Sequence, residues 1–361
     1  MFITILLFVG ILAIVVLTHE FGHFIVAKKS GMQVDEFGFG FPPKLFGIKK
    51  GETEYTVNLF PIGGFVRVHG EDGKDRQNPR SFAARPMWQR MLVIVAGVIM
   101  NFLVAYLFFS AVHAIGAPTI LGDDETPANA RDIAVQIIGV IPESPAQEAG
   151  IQNGDKIIKI TSGAESTNAM TAQAVSDFIE GHKGRELLFS IERGNELLEV
   201  PVFAREDIPE GEGATGISLV RVGIVDYPLH EALVKGAQST YNLSIASVSV
   251  FADTIGSAIS SGEVPESVSG PVGIAVMTGT VRNLGLVYIL QFIALISLSL
   301  GIINIVPFPA LDGGRFAFLV AEKIKGAPLS QKFENYANAA GFTALILLII
   351  FITIHDINKF F

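Results

Sequence analysis

Hydrophobic positions along the chain gather into four runs long enough to cross a bilayer as helices: Phe2–Ala27, Met91–Ile115, Leu286–Phe308 and Ala340–Ile354. The first is interrupted two-thirds of the way along by Thr18-His19-Glu20. It has no basic leader and no small-x-small cleavage site, and it is too long for a signal-peptide core, so it is expected to stay as a span.

Between the runs the pattern changes period. Across 118–227 the chain is polar, Gly-rich and acidic. Glu186–Ile191 and Glu196–Phe203 alternate around Arg193-Gly194-Asn195, which predicts a β-hairpin. Lys156–Ile160 is a predicted strand after the Asn153-Gly154-Asp155 turn, and Thr171–Glu180 a predicted helix stopped by Gly181. Roughly 100 residues suffice for a core of their own. In the 28–90 segment, Glu54–Phe60 and Gly64–His69 are β-like runs around Pro61-Ile62-Gly63-Gly64, so a hairpin is expected over 36–70. Residues 228–262 show an amphipathic helical pattern too rich in Ser and Thr for a span. The expected organisation is therefore a first membrane half (1–117), a polar domain (118–227), an amphipathic helical linker (228–281) and a second membrane half (282–361).

Composition agrees with this division. Half of the residues are hydrophobic, 17% are charged and the mean hydropathy is +0.48, whereas soluble domains carry about 25% charged residues. A net charge of −9 argues against a nucleic-acid partner. The absence of cysteine excludes disulfides, thiolate metal sites and a cysteine nucleophile. The charge is also unevenly placed. Residues 28–90 hold 11 basic and 7 acidic residues, while 118–281 hold 9 and 23. The positive-inside rule then puts 28–90 and 307–340 in the cytoplasm, with both termini and the acidic domain on the other side.

The polar interruption in the first run is His19-Glu20-Phe21-Gly22-His23, an HExxH pattern. On a helix, residues i and i+4 share a face, so both imidazoles can reach one zinc ion, and Glu20 stands beside them as a base for water. Two histidines and a glutamate satisfied by polar neighbours in a bundle would give the same pattern. Ionisable groups inside an apolar span are nevertheless functional by default. A zinc site that keeps a position open for water needs a third protein ligand. No second helix offers a glutamate some twenty residues on, and Phe24–Gly31 contains no histidine. Asp312 is the strongest candidate. It follows Asn304-Ile305-Val306-Pro307-Phe308-Pro309-Ala310-Leu311 and precedes two glycines, where the prolines break the third run. As a plain helix cap it would need no metal. Depth favours the pairing, because His23 lies five residues, roughly 7 Å, before Lys28, and Asp312 lies three before Arg315.

With these motifs in place, the chain resembles the site-2 protease family, in its bacterial regulator of sigma-E protease branch. The resemblance runs over essentially the whole sequence. It rests on HExxH, on the NxxPxPxLDGG pattern of Asn304–Gly314, on Gly270-Pro271-Val272-Gly273-Ile274, on Pro61-Ile62-Gly63-Gly64-Phe65-Val66, and on Ala96-Gly97 with Asn101. It implies a multi-pass α-helical membrane protein with four transmembrane helices, a membrane-associated β-hairpin and one extracytoplasmic PDZ domain, in the inner membrane of a bacterium. It implies a zinc metalloendopeptidase in which His19, His23 and Asp312 bind Zn2+, Glu20 is the general base and Asn304 holds the substrate backbone or oxyanion. Asn304 fits a helix-helix hydrogen bond equally well. Candidate substrate-binding residues are Asn58, Gly63, Gly64, Phe65, Pro307 and Pro309. The expected partners are the lipid bilayer, single-span membrane proteins already trimmed outside the membrane (an anti-sigma factor, or remnant signal peptides), and a peptide or C-terminus at the PDZ domain. The PDZ resemblance is carried by Gly139-Val140-Ile141, Ser144-Pro145-Ala146, Ala149-Gly150 and Asn153-Gly154-Asp155, with an expected groove between Val135–Ile141 and Thr171–Glu180. A steric filter against bulky substrates is the other reading of that domain. The competing class is a membrane-anchored PDZ adaptor with a non-catalytic zinc site, which has no use for Glu20. A transporter lacks support, since no inverted repeat is evident.

Overall fold

The computed structural model describes residues 2–73, 75–123, 126–194, 196–209, 211–260 and 269–360. Asn195 of the expected turn and residues 261–268 of the expected linker lie outside the described residues. In chain order the elements are α1 (Phe2–Lys29), β1 (Val34–Lys50), β2 (Thr53–Val68), α2 (Met87–Ile115), β3 (Ala117–Leu121), β4 (Ala130–Val140), α3 (Pro145–Glu148), β5 (Lys156–Ser162), β6 (Glu165–Asn168), α4 (Ala172–Gly181), β7 (Glu186–Arg193), β8 (Glu196–Phe203), β9 (Ile217–Val225), α5 (Leu229–Ser260), α6 (Pro271–Leu284), α7 (Leu286–Ile305), α8 (Asp312–Lys325) and α9 (Gln331–Phe360). The chain divides into two compact units: Met1–Val112 with Leu233–Phe361, and His113–Ala232.

In the first unit α1, α2, α7 and α9 are long and apolar enough to cross a membrane. Three apolar clusters hold α1, α2 and α7. Ile11 and Val15 of α1 pack on Phe292 and Ile293 of α7. Ala105 and Phe109 of α2 pack on Ala294, Leu298 and Ile302 of α7. Ala27, Val34, Val68, Val93, Ile94 and Leu319 join α1, the β1–β2 hairpin, α2 and α8. α7 ends at Ile305, not Phe308, because Pro307 cannot continue the helical hydrogen bonds. α9 begins nine residues before the apolar run does. Its first turns present Gln331, Glu334, Asn335 and Asn338 to a cavity of about 590 Å³, so their polarity hides the helix from hydropathy. α5 and α6 also belong to this unit: Leu243 joins the α2–α7 cluster, and Ile274 and Val281 pack on the α1–α7 cluster. The Gly270–Ile274 motif opens α6, where the buried Asp356 of α9 accepts from Gly270 N (2.9 Å) and Gly273 N (2.7 Å).

The hairpin differs in one respect from expectation. Glu54–Phe60 and Gly64–Val68 do not pair with each other. The first half of β1 lies between them, with Phe39 opposite both Gly64 and Val57, and Phe37 opposite both Val66 and Tyr55. Lys44–Lys50 closes the other side against Thr53–Asn58. Thr53, Thr56 and Asn58 are buried and bond to Val34 O, Glu36 Oε1 and Gly40 O, which seals the strands together. The outer edge of Gly64–Val68 has no strand beside it among the described residues.

The second unit is an antiparallel sheet in the order β3-β9-β4-β5-β7-β8, with β6 beside β5. Alternation buries Leu187, Phe189 and Ile191 of β7 with Val135, Ile137, Ile157 and Ile160, and Val175 and Ile179 of α4 cover them. α4 is capped twice: Thr171 Oγ1 accepts from Ala174 N, and the Asp123 carboxylate accepts from Ala172 N and Gln173 N. Buried Asp155 accepts from Arg193 at 2.7 Å through both Nε and Nη2, and this raises the guanidinium further above its ordinary pKa.

Candidate metal centre

α1 sets His19 and His23 one turn apart, and their Nε2 atoms lie 3.2 Å from each other. Asp312, the first residue of α8, brings Oδ2 to 3.2 Å from each Nε2. Three donor atoms thus form a triangle with nearly equal edges. The second helix decides which way the imidazoles face. His23 Nδ1 lies 2.8 Å from Val93 O, and a carbonyl only accepts, so the ring carries its proton on Nδ1 and turns a lone pair at Nε2 toward the cluster. On the other ring, the Asn101 carboxamide nitrogen is 3.2 Å from His19 Nδ1, and the amide oxygen has no partner. Turned about its last torsion, the same amide offers its oxygen to a proton on Nδ1. Asn101 is itself anchored, since its backbone carbonyl accepts from Ser297 of α7.

Asp312 Oδ2 is buried and accepts no hydrogen bond of good geometry, despite the two nearby nitrogens. With Nδ1 protonated on both rings, three lone pairs converge, an arrangement that is repulsive unless a cation sits among them. Tetrahedral zinc, at about 2.0–2.2 Å from N and O ligands, spaces those ligands about 3.3 Å apart, close to the edges seen here. Among the described residues this is the only group of three or more His, Asp or Glu arranged to hold a metal ion.

Close backbone approach makes the cluster possible. A Cβ on Gly22 would overlap the Ala96 carbonyl, and one on Gly97 would overlap the His23 imidazole and press on His19. The two glycines let α1 and α2 meet at the level of the histidines. On the Asp312 side the chain from Val306 to Leu311 folds back on itself, with Phe308 N donating to Val306 O and Leu311 N to Phe308 O. Gly313 and Gly314 lie flat against the carbonyls of Ile305, Val306 and Phe308, where no side chain fits. Arg315, one turn along α8, pairs with Glu71 at 2.6 Å.

The remaining sequence candidates fall at different places. Glu20 has its Cγ against Gly64 of β2 and lies within electrostatic range of His19, His23 and Asp312. Asn304 is buried, and its Nδ2 donates to Leu300 O one turn back. Asn58 is spent on the hairpin, as described above, while Gly63 (φ +93°) packs on Phe41 and Phe65 lies opposite Gly38. Pro307 breaks the backbone after α7, and Pro309 is pressed against Gly341 of α9. Sequence reasoning missed the roles of Val93 and Asn101. Asn101 was marked by the resemblance and by being a lone asparagine inside an apolar run, but neither signal named His19 as its partner.

The model of Peptidase family M50 matches residues 7–348. The chain belongs to peptidase family M50. A zinc metalloprotease named RasP from Geobacillus kaustophilus is 29% identical, covering 99% of this chain and 98% of that one. The regulator of sigma-W protease RasP of Bacillus subtilis is 28% identical over 99% of both chains. The regulator of sigma E protease of Haemophilus influenzae is 27% identical over 97% of both. The site-2 protease resemblance is thereby borne out, and the chain is an enzyme of that class.

In the second unit of this M50 peptidase one expectation is corrected. The groove cannot run along Val135–Ile141, because β4 is an interior strand flanked by β9 and β5. β9 is open on one side over part of its length. Its Arg221–Val225 half pairs with β3, while Ile217–Val220 pair only with β4. α4 packs beside that stretch.

Proposed function

We propose that this M50 peptidase hydrolyses peptide bonds within or beside the membrane span of single-pass substrates, with zinc held by His19, His23 and Asp312. The convergence of three buried lone-pair atoms next to Glu20 carries the reading. Zinc held by these three residues would supply Lewis-acid chemistry, polarising the scissile carbonyl and acidifying the attacking water. Glu20 takes the proton of that water and returns it to the leaving nitrogen, so one carboxylate serves as base and then acid. The backbone of Gly64 against Glu20 Cγ limits where the carboxylate can swing. Asn304 supplies a second polar group when its Nδ2 exchanges Leu300 O for a substrate oxygen.

A helical substrate buries its carbonyls in its own hydrogen bonds and must be opened before cleavage. The free outer edge of Gly64–Val68 offers a template for an added strand beside Glu20. In the proposed topology the hairpin faces the cytoplasm and the second unit faces outward. That unit reads as a single circularly permuted PDZ domain, either taking an extended peptide along Ile217–Val220 or screening substrates by size. The names of the relatives, regulators of sigma-W and sigma E proteases, support membrane-anchored sigma regulators as substrates.

The test is reconstituted full-length protein with a single-span model substrate. Glu20→Gln is expected to bind one equivalent of zinc like the wild type while losing cleavage by at least 1000-fold. Cleavage retained by Glu20→Gln would overturn the reading.

A further inference from the structure

Asp312 is the one member of the cluster that does not come from α1, and little in its own helix fixes it. Leu311, at the N-cap of α8, offers no side-chain cap. The preceding residue, Ala310, adopts φ +75°, a left-handed conformation that is strained for an alanine. Something outside the loop must hold that turn. Ala310 N donates to Asn338 Oδ1 of α9, 3.1 Å away and 28 residues later. One turn along the same face of α9, Gly341 lets Pro309 seat against the helix: a Cβ there would overlap the Pro309 carbonyl and come within 2.8 Å of its Cβ. The turn is gripped on its other side by Gly313 and Gly314, which lie on the carbonyls of Ile305, Val306 and Phe308.

We infer that Asn338 is a positioning residue for the metal centre, acting through Ala310 to set where Asp312 presents its carboxylate. The last span thereby shares control of a site built from the first span and α8. Resting on the zinc reading above, the inference also makes Asn338 a point where movement of α9 changes metal affinity. Removing the acceptor leaves an N–H without its partner in a turn that is already strained, and the turn relaxes two residues from the ligand.

The experiment compares full-length wild type, Asn338→Leu, Asn338→Asp and Asn335→Leu in lipid nanodiscs. Asn338→Asp keeps an acceptor at Oδ1, and Asn335 lies on the same helix at the cavity wall. Zinc affinity is read by chelator competition, cleavage as kcat and KM, and backbone protection of 308–312 by hydrogen exchange. Asn338→Leu should weaken zinc binding at least tenfold, lower kcat with KM within twofold, and speed exchange across 308–312. Asn338→Asp should recover most of each, and Asn335→Leu should match the wild type. Unchanged exchange and zinc affinity in Asn338→Leu overturn the inference, as does an equal loss in Asn335→Leu, which would mean general loosening of α9. Faster exchange in Asn338→Leu with no zinc bound by the wild type overturns the metallopeptidase reading and leaves the brace standing.

Discussion

His69 lies between two carboxylates, with Nε2 2.9 Å from Asp75 and Nδ1 3.3 Å from Asp35, at the rim of the polar cavity behind α8. Its hydrogen bonds to Asp75 and then Asp35 raise the imidazole above its ordinary 6.5. A raised folded-state value means that the stabilisation is complete below about 6.5 and is lost as pH climbs through the raised one. Comparison of wild type with His69→Gln should therefore show a difference in thermal midpoint near pH 6 that closes as pH rises through the raised value. An unchanging difference would show that packing, not charge, makes it. Such single-residue chemistry was only partly legible in the sequence. HExxH is readable because its geometry is local: four residues of helix fix the spacing of both imidazoles. Asp312 was readable because a carboxylate between a double proline break and two glycines is unusual. The Asn101 and Val93 contacts were not readable, since they lie 82 and 70 residues from their histidines and one is a bare carbonyl.

At the level of elements, α1 and α2 meet at a contact that only glycine allows. Gly97→Ala adds one methyl against the His23 and His19 rings, a clash of about 1–3 kcal/mol where repacking is restricted. It should lower zinc affinity at least tenfold. Gly10→Ala, on the same α1 helix with open space around it, should leave zinc binding unchanged and serves as the control in the same titration. The hairpin shows how far pattern goes. Its runs and turn residues were legible from period-2 alternation, yet alternation says nothing about which strand lies beside which. The first half of β1 therefore came as a third party between the two predicted partners. The same limit produced the wrong groove in the second unit: β4 reads as a strand from its sequence, but its interior place depends on β9, about 80 residues downstream. The start of α9 was missed for the opposite reason, because its polar face serves a cavity, not the lipid.

For the whole molecule, the segregation of charge predicts an orientation, and the lack of cysteine makes it directly testable. A single cysteine at Ser166, exposed in β6, should react with a membrane-impermeant maleimide on intact spheroplasts. One at Ala327, exposed after α8, should react only after permeabilisation. The reverse pattern would invert the proposed topology. The hydropathy pattern located the four spans well because membrane burial is written in composition, whereas α5 and α6 are too rich in Ser, Thr and Gly to read as spans and join the apolar clusters only through Leu243, Ile274 and Val281.

The ligand triangle also has a consequence in time. Two of its corners lie four residues apart in the chain, and the third follows roughly 290 residues later, with the brace on α9 later still. Throughout synthesis the nascent chain carries its histidines and Glu20 in the membrane without a complete site. In the proposed reading the site is thus inert until the segments that carry Asp312 and Asn338 have been added to it.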